Sequence, residues 1–161
     1  MAVADGDIIV CLNDDVVGTA NPPNAWLDNI AQYVEPGGFY GVSCQDIGVD
    51  DQPERYLVGW CIAAMRDTWR MVGGWDAAAF PHAYAEDCDL CFRARRIGIS
   101  LFLLPGIGLR HLGNRTNSQL SDAYTYADHQ REVFRQRVRD YRRGVYYYDK
   151  REWRGNLTEI P

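Results

Sequence analysis

The stretch AYAEDCDLCFRARRIG, residues 83–98, joins a dense acidic start to an amphipathic pattern. The carboxylates of Glu86, Asp87 and Asp89 occupy three of four consecutive positions. Apolar residues then recur at helical spacing until a glycine, a residue type that commonly follows the last turn of a helix. The pattern therefore predicts a helix over about residues 86–97, with more negative charge at its start than capping requires.

Alternating strand and helix signals surround this helix. Short apolar runs with β-branched residues predict strands, and helical periodicity bounded by proline or glycine predicts helices. The predicted strands are residues 7–12, 39–44, 55–65, 100–104 and 107–112, the further helices lie within 21–38, at 67–72 and near 123–142, and the polar residues 45–54 are predicted to form a loop. Strands interleaved with helices favour an α/β fold, with a mixed sheet flanked by helices.

Composition is that of an ordinary globular protein. The chain has 161 residues, of which 47% are apolar and 24% charged, and this length suits one domain with a sizeable core. No apolar run approaches the roughly 20 residues that cross a bilayer, and the acidic start lacks the basic region of a secretory signal. Five cysteines without paired spacing indicate reduced thiols. These features predict a cytoplasmic protein without a transmembrane segment.

The distribution of charge divides the chain into a predicted domain, residues 1–122, and a C-terminal extension, residues 123–161. The first part carries 16 acidic and 8 basic side chains, and the second carries 6 acidic and 9 basic ones. A basic segment can contact phosphates, a membrane surface or an acidic neighbour. A solvated helix packed on an acidic body is favoured, because aromatic and acidic residues are interleaved with the basic ones. The extension is predicted to be helical and aromatic, and no nucleic-acid partner is expected.

Oxygen-rich side chains follow the first predicted strand. Asn13, Asp14 and Asp15 come directly after its apolar residues. Hard divalent cations prefer such ligands, but Asn and Asp also stabilise ordinary turns at strand ends by bonding their own backbone. His111 ends another predicted strand, where it could be a hydrogen-bonded core residue or a metal ligand, since metal sites gather ligands from separate strands. Both interpretations stay open for each group.

The acidic cluster also has two interpretations. Acids in the first turn of a helix interact favourably with its free amides and its dipole, and Asp89 can pair with Arg93 one turn later. Neighbouring acids also repel one another, which raises the pKa of at least one and suits a general base. Cys88 and Cys91 form a single C-x-x-C without a second pair, so a zinc site is not favoured and Cys91 is expected in the core.

The order of these motifs is more specific than any one of them. GDIIVCLNDDV (6–16), GWCIAAMRDTWRMVGGWDAAAF (59–80) and YAEDCDLCFRARRIGISLFLLPGIGLRHLG (84–113) follow one another. Together they resemble the C-terminal half of inverting glycosyltransferases with the GT-A fold, family 2 in particular. The shared pattern is an apolar strand into a D-x-D-type turn, a glycine-led strand with a basic end, GG-aromatic-D, EDxDLxxRxxxxG, and then a proline and a histidine. The resemblance implies a GT-A-like mixed sheet and a transferase activity.

The resemblance implies a divalent metal, Mn²⁺ or Mg²⁺, at the D-x-D-like turn. Asp15 matches the metal-binding acid of the family, and Asn13 replaces the first acid of the motif. His111 matches the histidine that completes the metal or diphosphate site. Asp14 and Asp15 would then face the diphosphate of a nucleotide-sugar donor.

The resemblance also implies a proton-transfer role for the acidic helix start. Asp87 matches the catalytic base that takes a proton from an acceptor hydroxyl, on a glycan or another molecule, and Glu86 would orient that acceptor. Arg93 would brace the helix start through Asp89. Two aromatic side chains could pack on a sugar or belong to the core: Trp60 and Trp75.

Members of this family carry a nucleotide-binding βαβ half ahead of the D-x-D turn, and only MAVA precedes DGDIIV here. The expected domain is therefore truncated. It could be a fragment of a transferase, it could pair with another chain or with itself, or it could be a non-catalytic carbohydrate-binding or assembly module. Exposed sheet edges favour association, so we expect a homo-oligomer. A metal-dependent hydrolase is less favoured, since the sequence has no second metal-ligand group or nucleophile motif.

Overall fold

A four-stranded mixed sheet with helices beside it organises the chain. The computed structural model describes residues 4–81, 83–113 and 123–145. The elements in chain order are β1 (Ile8–Leu12), β2 (Val16–Gly18), α1 (Ala25–Ala31), β3 (Gly38–Gly41), β4 (Cys44–Val49), β5 (Gln52–Leu57), β6 (Cys61–Met65), α2 (Arg66–Val72), α3 (Glu86–Arg96), β7 (Ser100–Leu103), β8 (Leu109–His111) and α4 (Ala123–Arg142). The predicted α/β class with a mixed sheet is confirmed.

Strand pairing brings distant parts of the chain to one end of the sheet. The strand order is β1-β6-β3-β7; β6 is antiparallel to β1 and β3, whereas β7 runs parallel to β3. Two smaller antiparallel sheets consist of β2 with β8 and of β4 with β5. Val16 of β2 lies opposite His111 of β8. This short pairing therefore places His111 beside the turn that follows β1.

Alternate residues of β6 pack against different helices. One apolar cluster contains Ile62 with Trp69 of α2 and Leu90 of α3. Another contains Ala63 with Ile30 of α1. Because successive side chains of a strand point to opposite faces, the sheet is covered by helices on both faces.

The C-terminal helix α4 packs on the rest of the chain through a third apolar cluster. Phe134 of α4 is fully buried and meets Phe92 of α3 edge-on, with ring centroids 5.9 Å apart. Val49 of the β4–β5 hairpin belongs to the same cluster. The helix predicted near 123–142 is thus confirmed. The predicted aromatic tail from residue 146 and the loop 114–122 lie outside the described residues.

Buried charges connect α3 to its neighbours. The carboxylate of Asp89 is fully buried and accepts hydrogen bonds from Nε of Arg93 at 2.7 Å and from Nη1 of Arg137 at 2.9 Å. Arg93 also donates to the carbonyl oxygens of Val72 and Gly74, at 2.6 and 2.7 Å. The predicted pair of Asp89 and Arg93 is therefore present. It belongs to a network that joins the end of α2, α3 and α4.

The prediction of a single strand over residues 55–65 is wrong. β5 ends at Leu57, and residues 58–60 turn the chain before β6 begins at Cys61. The backbone of this turn bonds to other elements rather than to a neighbouring strand, as described below. The strand predicted over 39–44 is also divided, because it spans the end of β3 and the start of β4.

The loop predicted over residues 45–54 is wrong as well, because these residues form most of the β4–β5 hairpin. Burial alternates along the hairpin: Ile47, Val49 and Glu54 are buried between exposed neighbours. Asp50 adopts the left-handed conformation that a tight turn needs, with φ 53°. A hairpin with one solvated face carries many polar residues, and these masked its strands in the sequence.

The helix predicted within residues 21–38 is present but shorter, since α1 spans only Ala25–Ala31. The remaining predicted elements are confirmed within one or two residues, which is the usual uncertainty of element ends. Cys91 is fully buried in the core, as expected. Among the described residues, every helix is too short or too polar to span a bilayer.

Candidate functional site

A cavity of about 540 Å³ lies where β1 and β8 end and α3 begins. Asn13 and His111 line it from the strand ends, Glu86 and Asp87 line it from α3, and Trp60 also contributes to its wall. The β4–β5 hairpin and α4 supply further wall residues: Gln45, Asp46, Tyr56, Asp128, Arg131 and Arg135. The volume is within the usual range for small-molecule sites. Residues from widely separated motifs therefore meet around one cavity.

Asp15 and His111 form a candidate cation site beside the cavity. Oδ1 of Asp15 lies 2.9 Å from Nε2 of His111, and Nδ2 of Asn13 lies 3.5 Å from the same nitrogen. The first contact lacks hydrogen-bond geometry, so Oδ1 of Asp15 is buried without a hydrogen-bond partner among the described residues. A carboxylate, an imidazole and a side-chain amide are ligands that Mn²⁺ and Mg²⁺ accept.

This donor set is small. Within residues 4–81, 83–113 and 123–145, no three His, Cys, Asp or Glu side chains are grouped so that they could hold a metal. Asp14 is exposed beside Asp15 and lies outside the contact with His111. Protein sites for Mg²⁺ often use only one or two carboxylates and take their other ligands from substrate phosphates and water. The side chains present would therefore supply only part of the ligands of a cation, and the others would have to come from water or from a bound molecule.

The turn between β5 and β6 connects the candidate cation site to α3. The carbonyl oxygen of Trp60 accepts the backbone N–H of Asn13 at 3.0 Å. The indole of Trp60 stacks on the imidazole of His111, with ring centroids 5.3 Å apart and planes 3° from parallel. One residue earlier, the N–H of Gly59 donates to Oδ2 of Asp87 at 2.9 Å. The turn thus contacts Asp87 and two of the candidate metal ligands, Asn13 and His111, at once.

The chain enters α3 through three consecutive residues with positive φ: Ala83 at 95°, Tyr84 at 69° and Ala85 at 65°. For residues other than glycine, such conformations cost on the order of 1–3 kcal/mol each and concentrate at functional sites. They bring Glu86 and Asp87 to the first two positions of α3, against the cavity. The strain therefore accompanies the placement of the acidic pair.

Asp87 is hydrogen-bonded through both carboxylate oxygens. Oδ2 accepts the N–H of Gly59 at 2.9 Å, and Oδ1 accepts the N–H of Cys88 at 2.8 Å. A Cβ atom at position 59 would lie 3.2 Å from Cβ of Asp87, so a glycine there allows the close approach. Burial raises the pKa of Asp87, although these backbone hydrogen bonds oppose the shift.

Glu86 has a different environment. Its Oε2 is buried and has no hydrogen-bond partner among the described residues. Burial, followed by the charge of Asp87, raises the pKa of Glu86 from its usual value of 4.5 to about 7. The side chain lines the larger cavity and a second one of about 300 Å³, which Asn13 and Trp75 also line. Glu86 is therefore a carboxyl group that exchanges its proton near neutral pH.

The raised pKa of Glu86 predicts that stability falls as the pH rises from 4.5 to about 7. In this interval the folded chain binds more protons at Glu86 than the unfolded chain does, so the free energy of unfolding decreases with pH. The Glu86→Gln variant lacks this effect. Relative to the wild type, we expect its free energy of unfolding to rise by on the order of 1–3 kcal/mol across the interval.

Urea unfolding of both proteins at the two ends of this pH interval measures the difference. A free-energy difference between variant and wild type that is the same at both ends would contradict a raised pKa at Glu86.

No family profile, curated protein or solved structure matches this chain significantly.

Five of the predicted residues come together around the cavity: Asn13, Asp15, Glu86, Asp87 and His111. Trp60 joins them through its stacking on the imidazole.

Besides the exposed Asp14, three predicted residues lie elsewhere. Asp89 and Arg93 are buried in the network that joins α3 to its neighbours, and their contacts there stabilise the packing of this helix. Trp75 packs on Trp69 in the core, with ring centroids 5.6 Å apart, and lines only the smaller cavity. These contacts match the structural alternative that the sequence left open for Trp75.

The outer wall of the cavity was not predicted from the sequence. Gln45 and Tyr56 belong to the hairpin, where Oη of Tyr56 donates to Oε1 of Gln45 at 2.9 Å. Arg131 and Arg135 belong to α4. Their spacing of four residues was a usable signal, because it puts both guanidinium groups on one side of a helix. The sequence did not show that this side of α4 faces the cavity.

Proposed function

We propose that this chain is a glycosyltransferase-like domain, similar to the C-terminal, catalytic half of GT-A-type inverting glycosyltransferases of family 2, which transfer a sugar from a nucleotide-sugar to an acceptor hydroxyl. The observation that carries the proposal is the meeting of Asp15 and His111 with Glu86 and Asp87 beside one cavity. Inverting transfer needs separate groups to hold a cation and to take a proton. Here the two functions fall to different elements, the strand ends and α3.

A divalent cation, Mn²⁺ or Mg²⁺, fits the side chains at the end of β1. Asn13, Asp15 and His111 would hold it, and the oxygen of Asp15 that lacks a hydrogen-bond partner among the described residues supports this assignment. When bound, such an ion neutralises charge on a departing diphosphate. Asp14 and Asp15 remain the proposed contacts on the diphosphate side of the donor.

The acidic pair supplies the group that takes the acceptor's proton. The resemblance assigns this role to Asp87 and the orientation of the acceptor to Glu86. The pKa of both carboxyl groups is raised, mainly by burial, which brings a general base closer to neutral pH. Trp60 and Tyr84 add aromatic surface to the cavity wall, which suits a glycan or another hydroxyl-bearing acceptor.

Metal-dependent binding of nucleoside diphosphates tests this function. We expect calorimetric titration in Mn²⁺ to detect binding of at least one nucleoside diphosphate to the purified chain. The Asp15→Ala variant should bind more weakly by on the order of 100-fold, since groups that support a metal site contribute this much to affinity. Asp28→Ala, which removes an exposed carboxylate of α1, is the matched control and should bind like the wild type.

Either of two results would refute the proposal. One is a folded wild-type chain that binds no nucleoside diphosphate with Mn²⁺ or Mg²⁺. The other is an Asp15→Ala variant that binds as tightly as the wild type.

A non-catalytic carbohydrate-binding or assembly module is the second candidate function. β1 and β7 are the edge strands of the four-stranded sheet in the described part of the chain, and Leu12, Phe102 and Leu103 on them are exposed. Such edges favour pairing with another strand, so a homo-oligomer is part of both proposals. Glycan binding that needs no metal and survives Asp87→Asn would identify the module. Five free thiols support the proposal of a reducing, cytoplasmic location.

A further inference from the structure

The two carboxylates at the start of α3 differ in what already binds them. Both oxygens of Asp87 accept backbone N–H groups, from Gly59 at 2.9 Å and from Cys88 at 2.8 Å. In contrast, Oε2 of Glu86 has no hydrogen-bond partner among the described residues. The resemblance assigns the role of base to Asp87. The hydrogen bonding instead favours Glu86 as the base and Asp87 as the residue that holds the backbone in place.

We infer that Glu86 takes the proton of the acceptor hydroxyl, and that Asp87 is a positioning residue that holds the β5–β6 turn against α3. The inference rests on the proposed transferase function. The acceptor's O–H bond breaks while its oxygen forms a bond to the anomeric carbon, and the proton passes to the carboxylate of Glu86. The bond from the anomeric carbon to the phosphate oxygen breaks, and its electron pair leaves with the nucleoside diphosphate.

The contacts of Asp87 suit a positioning role. Its carboxylate holds the N–H of Gly59, and the next residue, Trp60, stacks on His111 and accepts the N–H of Asn13. A proton on Oδ2 of Asp87 would weaken the bond to Gly59, because a neutral carboxyl is a poorer acceptor. Proton transfer to Asp87 would therefore loosen the turn that supports the candidate cation site at the moment of reaction.

The surroundings of Glu86 suit proton transfer. Its side chain lines both cavities, so it can meet a ligand on the side of Asn13 as well as on the side of the hairpin. It holds no backbone donor from another element that would have to be released. Burial and the neighbouring Asp87 place the pKa of Glu86 at about 7, which agrees with a base that works near neutral pH.

The test compares Glu86→Gln with Asp87→Asn in the full chain. Release of nucleoside diphosphate is measured with Mn²⁺, a panel of nucleotide-sugars and an array of glycan acceptors. We expect Glu86→Gln to lower kcat by roughly 10²–10⁴-fold, the usual contribution of a general base, while nucleoside diphosphate binding is kept. Asp87→Asn should lower kcat by less than about tenfold and should mainly raise KM. Asp67→Asn, in the exposed pair with Arg70 on α2, is the control and should behave like the wild type.

A second measurement does not depend on activity. Hydrogen exchange at the backbone amide of Gly59, followed by NMR, should accelerate at least tenfold in Asp87→Asn and stay unchanged in Glu86→Gln, because only Asp87 accepts this N–H. An unchanged Gly59 amide in Asp87→Asn would overturn the positioning role.

The outcomes separate this inference from the function on which it rests. A wild-type chain without metal-dependent nucleoside diphosphate binding or transfer overturns both. Normal binding, together with full kcat in Glu86→Gln or an equal loss of kcat in the two variants, overturns the inference alone. If Asp87→Asn does not fold, the kcat of Glu86→Gln still decides whether Glu86 is the base.

Discussion

Replacing Asp89 with alanine is expected to lower the free energy of unfolding by about 3–5 kcal/mol, because the change leaves buried guanidinium charge without its carboxylate. Asp89 is fully buried and accepts hydrogen bonds from Arg93 and Arg137. Small domains are stable by only about 5–15 kcal/mol, so the variant should be close to unfolding at room temperature. The midpoint of urea unfolding, read by circular dichroism, measures the effect.

Two further variants define the cause. Asp89→Asn keeps the shape of the side chain and one acceptor oxygen, so its loss of stability should be smaller than that of Asp89→Ala. Asp67→Ala breaks the exposed pair with Arg70 and should barely move the midpoint. If Asp89→Ala shifted the midpoint no more than this control, the buried network would not hold α3 in place.

Replacing Phe134 with alanine is expected to lower the free energy of unfolding by about 3–5 kcal/mol, because it empties a fully buried aromatic site in α4. The ring meets Phe92 of α3 edge-on, so its loss weakens the contact that docks α4. Because α4 is then docked less firmly, hydrogen exchange along α4 should become faster as the urea midpoint falls. The change also reaches the cavity wall, since Arg131 and Arg135 belong to α4.

His129→Ala is the matched control for Phe134, because His129 is exposed on the same helix. A surface substitution of this kind should change stability by no more than about 0.5 kcal/mol. Equal midpoints for the two variants would mean that α4 contributes little to the stability of the domain.

The sequence predicted the elements whose signals are local. The helix α3 has an acidic start, apolar spacing and a glycine after its end, and all three signals are independent of the rest of the chain. The break between β5 and β6 has no such signal apart from Gly59. Val58 and Trp60 favour strands, and the bonds that turn the chain go to Asp87 and Asn13, which are distant in sequence. Tertiary contacts therefore decided what propensity could not.

The site could be predicted in its residue types and only partly in its geometry. The acidic residues after β1 and at the start of α3 can be recognised in the sequence as candidate site residues. The contact between Asp15 and His111 depends on the pairing of β2 with β8, and three-residue strands are too short for their pattern to be recognised. The sequence also cannot show which oxygens of Glu86 and Asp87 are already bonded, and this difference changes their proposed roles.

The turn at residues 58–60 acts as a shared anchor for the two ends of the site. Its backbone and side chains reach α3 through Gly59, the strand ends through Trp60, and Ser43 through the N–H of Val58 and the indole of Trp60. A displacement of this turn would therefore shift Asp87 and the candidate cation ligands Asn13 and His111 together. The geometry of both ends of the site therefore depends on three residues that carry no acidic or imidazole group.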